Sequence, residues 1–136
     1  MSAVQNLAYS VVQVAHNFGA VATVGGSIAA VKFRGVDTRR KLAWLVLCGW
    51  GTQAASGALF GAVSYYFYHK FPDISGLALD ALGIKMACAA TGFLLMAAYL
   101  FRGERWAITT MHRAWLLSAA LAVTAITSAA FLRWFS

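Results

Sequence analysis

A single histidine stands in a long uncharged stretch of the chain, VVQVAHNFGAVATVGGSIAAV, where an imidazole needs a physical reason. His16 lies near the middle of this stretch, and the nearest charged residue in the sequence is Lys32. A histidine in such a setting serves as a metal or haem ligand, as a proton relay, or as a hydrogen-bonded packing residue. As a packing residue it would bond Gln53 or a hydroxyl of the last apolar segment. The sequence leaves these three roles open.

A lysine is the second residue that could take part in binding or chemistry, because it lies inside an apolar segment. Lys85 is the only charged residue in the stretch 81–101. In antiparallel helices its depth differs from that of His16 by about 4 to 5 Å, at 1.5 Å per residue. The ammonium group can extend outward to the membrane surface. It can instead face the bundle beside His16, where it would be a cofactor-binding residue.

Two sulfur-containing residues close to Lys85 complete the candidate metal ligands. Met86 and Cys88 are soft donors, which suit copper and haem iron, so the candidate metal set is His16, Met86 and Cys88. Both types are more often packing residues in membrane helices. His69 and His112 are predicted at opposite ends of the molecule, which disfavours a haem held by two histidines. No paired carboxylates or Ser-His-Asp set appears, so catalytic residues are unknown and enzymatic activity stays open.

The composition places these residues in a membrane protein. Apolar types make up 61% of the 136 residues and charged types only 11%, less than half of what a soluble domain carries. Four nearly uncharged segments of spanning length follow one another, at residues 7–31, 42–68, 81–101 and 114–132. Their connections are short, which favours antiparallel neighbours. We predict a single all-α domain, an integral membrane up-down-up-down four-helix bundle over residues 1–136.

The first helix has two unlike faces. Polar and small residues recur at spacings of three and four and form one seam: Asn6, Tyr9, Gln13, His16, Ala20, Thr23 and Ser27. The opposite face is apolar: Leu7, Val11, Val14, Phe18, Val21 and Ile28. Because polar groups facing lipid would lack partners, we expect the seam to face the bundle and the apolar face to contact lipid.

The second helix carries a row of mostly small residues that predicts close helix packing. Gly49, Gln53, Gly57 and Gly61 recur every four residues, and the last two form a GxxxG pair. Small residues at this spacing let two backbones approach closely in lipid. We therefore expect this row to contact a neighbouring helix.

The basic residues predict the orientation rather than a nucleic-acid site. Of eleven Lys and Arg residues, eight lie in or beside the first and third connections, on one side of the bundle. The positive-inside rule places that side in the cytoplasm, so both termini face out. We expect a multi-pass protein of a bacterial-type inner membrane, with its basic loops at anionic headgroups and no nucleic-acid partner.

Two segments resemble known families of small membrane proteins. AHNFGAVATVGGS in the first helix and ALGIKMACAATGFLLMAAYLFRGERW in the third resemble the CopD-like and HemJ-like families. The resemblance implies a four-helix unit with a histidine in the first helix. It implies copper passage for the first family, and haem binding with protoporphyrinogen oxidation for the second. Carried over residue by residue, it points to His16 and Lys85; the tryptophan usual after the first histidine is absent.

Two functions from different classes remain. The first is a membrane protein that binds or handles haem or copper between its helices through His16, with haem b, copper or no cofactor all open. The second is a non-catalytic accessory subunit of a larger respiratory or copper-enzyme complex. Its partners would be other membrane subunits, or further copies of the chain.

Overall fold

Four long helices form the molecule, and the prediction of an all-α four-helix bundle is confirmed. A computed structural model describes residues 2–70 and 74–135, with no β-strand among them. The helices are α1 (Ala3–Lys32), α2 (Val36–Tyr68), α3 (Leu77–Arg102) and α4 (Ile108–Phe135), and a 3-10 turn, Gly103–Arg105, follows α3. Consecutive helices pack against each other, and α4 also packs against α1.

Local capping explains where the helices begin and end. Ser2 accepts a hydrogen bond from the backbone N–H of Gln5 and so caps the start of α1. At the other end of α1, the buried Arg39 donates from Nε to the carbonyl oxygen of Ala30 at 3.0 Å. His69 ends α2 with a left-handed φ of 54°. These caps satisfy backbone groups that a helix leaves without partners.

Helices α2 and α4 begin six residues before the predicted spans. Both extensions lie at the basic end, where α2 includes Asp37 and Arg40, and α4 includes Arg113. Hydropathy marks only the part of a helix that suits lipid, whereas backbone hydrogen bonds continue into the polar region. The middle connection includes Phe71–Asp73, which lie outside the described residues.

Three of the four helices are long and apolar enough to cross a membrane. These are α1, α3 with its following turn, and α4. Among the described residues, α2 does not reach that hydropathy, although it is 33 residues long. It is uncharged after Lys41, but it carries glycines, tyrosines and the polar residues Thr52, Gln53, Ser56 and Ser64. The fourth span therefore stays a prediction from length and charge.

The two faces of α1 divide as predicted, but the inner face is rotated. The six residues of the apolar face are 52–72% exposed, so that face lies outside the bundle. On the inner face His16, Thr23 and Ser27 are buried, whereas Asn6 and Gln13 are exposed. Gln13 instead donates to Asn17 on the same helix at 2.7 Å. Gln5 and Val12 are buried in place of the two exposed residues.

Glycines on α1 explain this rotation. A Cβ atom on Gly19 would lie 3.0 Å from the carbonyl oxygen of Gly49, so the two backbones nearly touch. Close backbone contact gains dispersion energy that does not depend on hydrophobicity, and in lipid this drives helix association. The prediction of the inner face from the sequence rested on polar side chains and did not consider Gly19. The helix therefore turns its glycines, rather than its full polar seam, toward α2.

The row on α2 packs in its first half only. Gly49 and Gln53 both lie at the contact with Gly19. Gly57 is exposed, and no atom lies within 4 Å of the position that its Cβ would take. The expectation that Gly57 packs against a neighbour is therefore wrong. Gly61 is partly exposed. The physical reason is the helix period: residues four apart turn by about 40° per step at 3.6 residues per turn, so the row winds off the contact face, and Ser56 and Phe60 face α1 instead.

The apolar core lies between His16 and the basic end. Trp50 is 2% exposed, and its indole fills the space beside Gly92 on α3. Tyr99 makes an edge-to-face contact with Trp115, with ring centroids 5.2 Å apart. A hydrogen bond of 2.7 Å between the hydroxyls of Ser27 and Ser118 joins α1 to α4 at the edge of this core. The core thereby fixes the helices that carry the polar site.

Candidate functional site

Three helices bring one polar side chain each to a single point inside the bundle. His16 on α1 lies with its Nδ1 atom 2.7 Å from the hydroxyl of Ser56 on α2. Its Nε2 atom lies 2.8 Å from the Nζ atom of Lys85 on α3. His16 is only 9% exposed. The expectation that its ring faces the bundle and bonds another helix is confirmed.

The hydroxyl of Ser56 fixes the role of the Nδ1 atom. Ser56 donates its proton to the backbone carbonyl of Thr52 at 2.6 Å, one turn earlier on the same helix. A hydroxyl has one proton and two lone pairs. Because the proton is directed at Thr52, the Ser56 oxygen can only accept from the imidazole. The Nδ1 atom of His16 therefore carries a proton and donates it to Ser56.

Lys85 gives the same assignment from the other side of the ring. An ammonium group has three donors and no acceptor. Its contact with the Nε2 atom of His16 therefore requires a lone pair on that nitrogen. The two contacts agree on one neutral tautomer of His16, with the proton on Nδ1 and the lone pair on Nε2. The direction of every hydrogen bond then runs from Lys85 through His16 and Ser56 to Thr52.

Aromatic rings cover the side of the site that faces away from the basic end of the bundle. Phe60 on α2 meets the imidazole of His16 edge-on, with ring centroids 6.0 Å apart. The ring of Tyr9, two turns before His16 on α1, stacks on Phe60 at 6.3 Å. These rings restrict rotation of the imidazole and keep its surroundings apolar, which strengthens its hydrogen bonds.

The ammonium group of Lys85 has no carboxylate partner among the described residues. The one salt bridge that they contain joins Arg40 to Glu104 at 2.8 Å, at the basic end of the molecule. Asp80, in the first turn of α3, is exposed. The sequence left open whether Lys85 faces the bundle or extends outward, and the structure places it in the bundle, partly exposed. Its hydrogen bond to His16 therefore joins it to a neutral acceptor.

The structure does not bring the two sulfur candidates to His16 as a ligand set. Met86 is 63% exposed and so lies on the outside of the bundle. Cys88 is buried in the apolar core together with Trp50 and Met96. Across residues 2–70 and 74–135, no group of three or more His, Cys, Asp or Glu side chains is placed to hold a metal ion. Any metal at His16 would take its other ligands from elsewhere.

Ser56 is the site residue that the sequence interpretation missed as a partner of His16. The expected partners were Gln53 and the hydroxyls of α4, but Gln53 lies at the glycine contact with Gly19 instead. Ser56 lies three residues further along α2, one turn beyond Thr52. The available signal was this pair of hydroxyl residues at a spacing of four, at the depth of His16.

Comparison with known proteins adds no relative. No family model, curated protein or solved structure matches the chain. The function must therefore be argued from the site itself.

Proposed function

We propose that this membrane protein binds or handles haem or copper between its helices, with the Nε2 atom of His16 as the ligand. The observation that carries the proposal is the hydrogen bond of 2.7 Å between His16 Nδ1 and Ser56. Histidines that bind metals commonly donate the Nδ1 proton to a neighbouring oxygen, which fixes the tautomer and directs the Nε2 lone pair at the metal. His16 has that arrangement.

The donor set decides what kind of group would fit. His16 supplies one oriented nitrogen, and no group of three or more His, Cys, Asp or Glu side chains among the described residues is placed to hold a metal ion. A haem or a metal ion such as Cu(I) would be held at this nitrogen and would take its other ligands from elsewhere. Bound at that nitrogen, haem would supply redox chemistry at its iron, and copper would be a transported or stored ion. Lys85 must leave Nε2 in either case.

Each residue of the site has a separate task in this proposal. Ser56 holds the Nδ1 proton, and its own bond to Thr52 prevents the hydroxyl from turning away. Phe60 limits rotation of the imidazole. Lys85 contributes positive charge, which suits an anionic group such as a haem propionate if haem is the ligand.

The metal and haem content of the purified protein tests the proposal. The protein is extracted in mild detergent, and iron, copper and the Soret absorbance are measured for the wild type and for His16→Ala. The expected result is about one haem or copper per chain, lost in His16→Ala. A matched control is His69→Asn, which removes a histidine at the end of α2 and suits the left-handed backbone there. A wild type without metal or haem, or a His16→Ala protein with unchanged content, contradicts the proposal.

A second candidate function, an accessory subunit of a larger membrane complex, is favoured by the surface of α2. Among the described residues, this helix is the one of the four that is not apolar enough to count as a membrane span. Its outward side is nevertheless mostly made of small residues in the middle of the helix, where Leu59 is the exposed large residue: Ala54, Ala55, Gly57, Ala58 and Ala62 are all exposed. Small residues expose backbone that lipid chains pack against poorly and that another helix packs against well.

Copurification distinguishes the accessory role from a free-standing protein. In the accessory case the wild type, extracted in mild detergent, migrates with larger membrane proteins and carries no metal. Ala58→Phe should release it, because the added ring blocks close approach to α2. Val21→Phe, on the exposed face of α1, is the control and should remain in the complex. A wild type that runs as a single 14.6 kDa chain would exclude this role.

A further inference from the structure

A stripe of polar side chains runs along the outside of α1. Asn6, Ser10, Gln13 and Asn17 follow one another at spacings of four, three and four, and all four are exposed. Residues at this spacing share one helix face and can meet a single neighbouring helix. In the part of the chain that the structure describes, this polar face of α1 is left uncovered.

Two amides of the stripe satisfy each other only in part. Gln13 donates from Nε2 to the Oδ1 atom of Asn17 at 2.7 Å. A side-chain amide has two donor hydrogens and an oxygen that accepts twice. The Nδ2 group of Asn17 and the Oε1 atom of Gln13 make no hydrogen bond with any other described residue. The pair therefore presents a free donor and a free acceptor to its surroundings.

The depth of this pair makes lipid an unfavourable neighbour. Lys32 ends α1 at the basic end of the bundle, which lies at one membrane surface. At 1.5 Å per residue, Asn17 is about 22 Å and Gln13 about 28 Å from that end. Both lie within the roughly 30 Å of hydrocarbon that a spanning helix crosses. Acyl chains offer no hydrogen bond to the two amides, so a polar partner is needed at this depth.

We propose that a second copy of this chain covers the stripe, with the α1 helices of the two copies packed together. Copies inserted in the same direction are related by a two-fold axis along the membrane normal, so the same residues lie at the same depth. The free donor of Asn17 in each copy then meets the free acceptor of Gln13 in the other, which gives two equivalent hydrogen bonds. The stripe carries no charge, so nothing in it selects an oppositely charged partner. The pairing goes beyond the proposed function and does not depend on a metal at His16.

Disulfide formation between copies in membrane vesicles tests the pairing. Every variant carries Cys48→Ala and Cys88→Ala. Ser10→Cys places a thiol on the stripe and leaves the amides intact, because the Ser10 hydroxyl bonds the carbonyl of its own helix. On oxidation it should give a product of twice the mass of one chain. Val11→Cys is the matched control, since it is also exposed and at nearly the same depth but about 100° around the helix, and it should stay monomeric.

The amides are then removed in the Ser10→Cys protein. Gln13→Leu combined with Asn17→Leu should weaken the pairing about tenfold, the effect of losing two interhelical hydrogen bonds. The weakening is measured as the increase in protein density in the vesicles that half-maximal crosslinking requires. Thermal unfolding in detergent checks that each variant is folded.

Four results would overturn the proposal. Equal crosslinking of Ser10→Cys and Val11→Cys indicates random collision of chains. A crosslinked product of another mass shows that a different protein covers the stripe. Crosslinking that the two leucine substitutions leave unchanged shows that the amides do not hold the copies together. A folded Ser10→Cys protein that gives no crosslink has lipid or water at the stripe. The metal content of the protein is measured separately, so none of these results decides the role of His16.

Discussion

At the scale of single residues, the directions of the hydrogen bonds around His16 determine its tautomer. Lys85 can only donate, and the Ser56 proton is already committed to Thr52, so His16 between them has one arrangement of its proton. Each contact gives the same tautomer. Together they direct the Nε2 lone pair of the imidazole at Lys85, and this is the nitrogen that would bind a metal in the proposed function.

Ser56→Ala should lower metal or haem occupancy about 10- to 100-fold, the usual effect of losing a partner that orients a histidine ligand. The imidazole loses its acceptor at Nδ1 and is free to adopt the other tautomer. Occupancy at a fixed metal concentration measures the effect.

Ser128→Ala is the matched control for this substitution. Ser128 is also a buried serine, and it bonds the carbonyl of Thr124 on its own helix, as Ser56 bonds Thr52. It differs in having no histidine partner among its hydrogen bonds in the structure. Equal losses of occupancy in both variants would mean that Ser56 acts through general stability and does not orient His16.

The sequence identified two of the three residues in contact, and the physical reason for missing the third is clear. His16 and Lys85 are conspicuous because polar or charged groups are costly in apolar segments. Serine hydroxyls are frequent in membrane helices and satisfy themselves on the preceding turn. Ser56 becomes the partner of His16 only because of how α2 is rotated against α1. That rotation depends on glycine contacts, which a pattern of polar residues does not reveal.

At the scale of helices, glycines determine which faces meet. Their contacts are of two kinds: backbone against backbone at Gly19 and Gly49, and an indole against backbone at Gly92. The helix lengths, order and outward apolar faces followed from the sequence, because they depend on hydropathy and spacing alone. The rotation of α1 and the exposure of Gly57 did not, since both depend on how the two helices are turned against each other.

Gly92→Ala should destabilise the bundle by about 1 to 3 kcal/mol, the typical cost of overpacking. The new methyl group would overlap the indole of Trp50, which is buried and has little freedom to move. Thermal unfolding in detergent measures the loss. Gly83→Ala on the same helix is the control, because no atom lies within 4 Å of its Cβ position. It should be neutral or stabilising by up to about 1 kcal/mol, from helix propensity.

Gly49→Leu should disrupt the contact between α1 and α2, whereas Gly57→Leu should not. At Gly49 a Cβ atom already comes within 3.0 Å of Thr23 and Ala22, so a larger side chain forces the helices apart. At Gly57 the space is open. The comparison uses the same residue change on the same helix, and the apparent melting temperature reports it. A larger loss for Gly57→Leu would contradict the packing described, or reveal a partner on that face.

At the scale of the whole molecule, charge determines how the bundle lies in the membrane. The connection between α1 and α2 and the turn after α3 share the basic end, where Arg40 pairs with Glu104. If the positive-inside rule places this end in the cytoplasm, His16 and Lys85 lie in the outer half. We propose on this basis that both termini face out, and that the site opens toward the outer side.

Cysteine labelling in sealed cells tests this orientation. In a background with Cys48→Ala and Cys88→Ala, a membrane-impermeant thiol reagent should label Ser75→Cys and fail to label Arg34→Cys. The first position lies in the connection before α3 and the second in the connection before α2, and both are exposed. The reverse pattern would place the basic end outside and His16 in the cytoplasmic half.

The most direct test of the central claim is the ¹⁵N NMR spectrum of the protein labelled at its histidines, with His16 assigned from the signal that disappears in His16→Gln. We predict a neutral imidazole in the metal-free protein, protonated at Nδ1 and unprotonated at Nε2. Added metal should then shift the Nε2 signal. A neutral imidazole protonated at Nε2 and bare at Nδ1 would contradict the account, because its lone pair would face Ser56 and no ligand could bind at the predicted nitrogen.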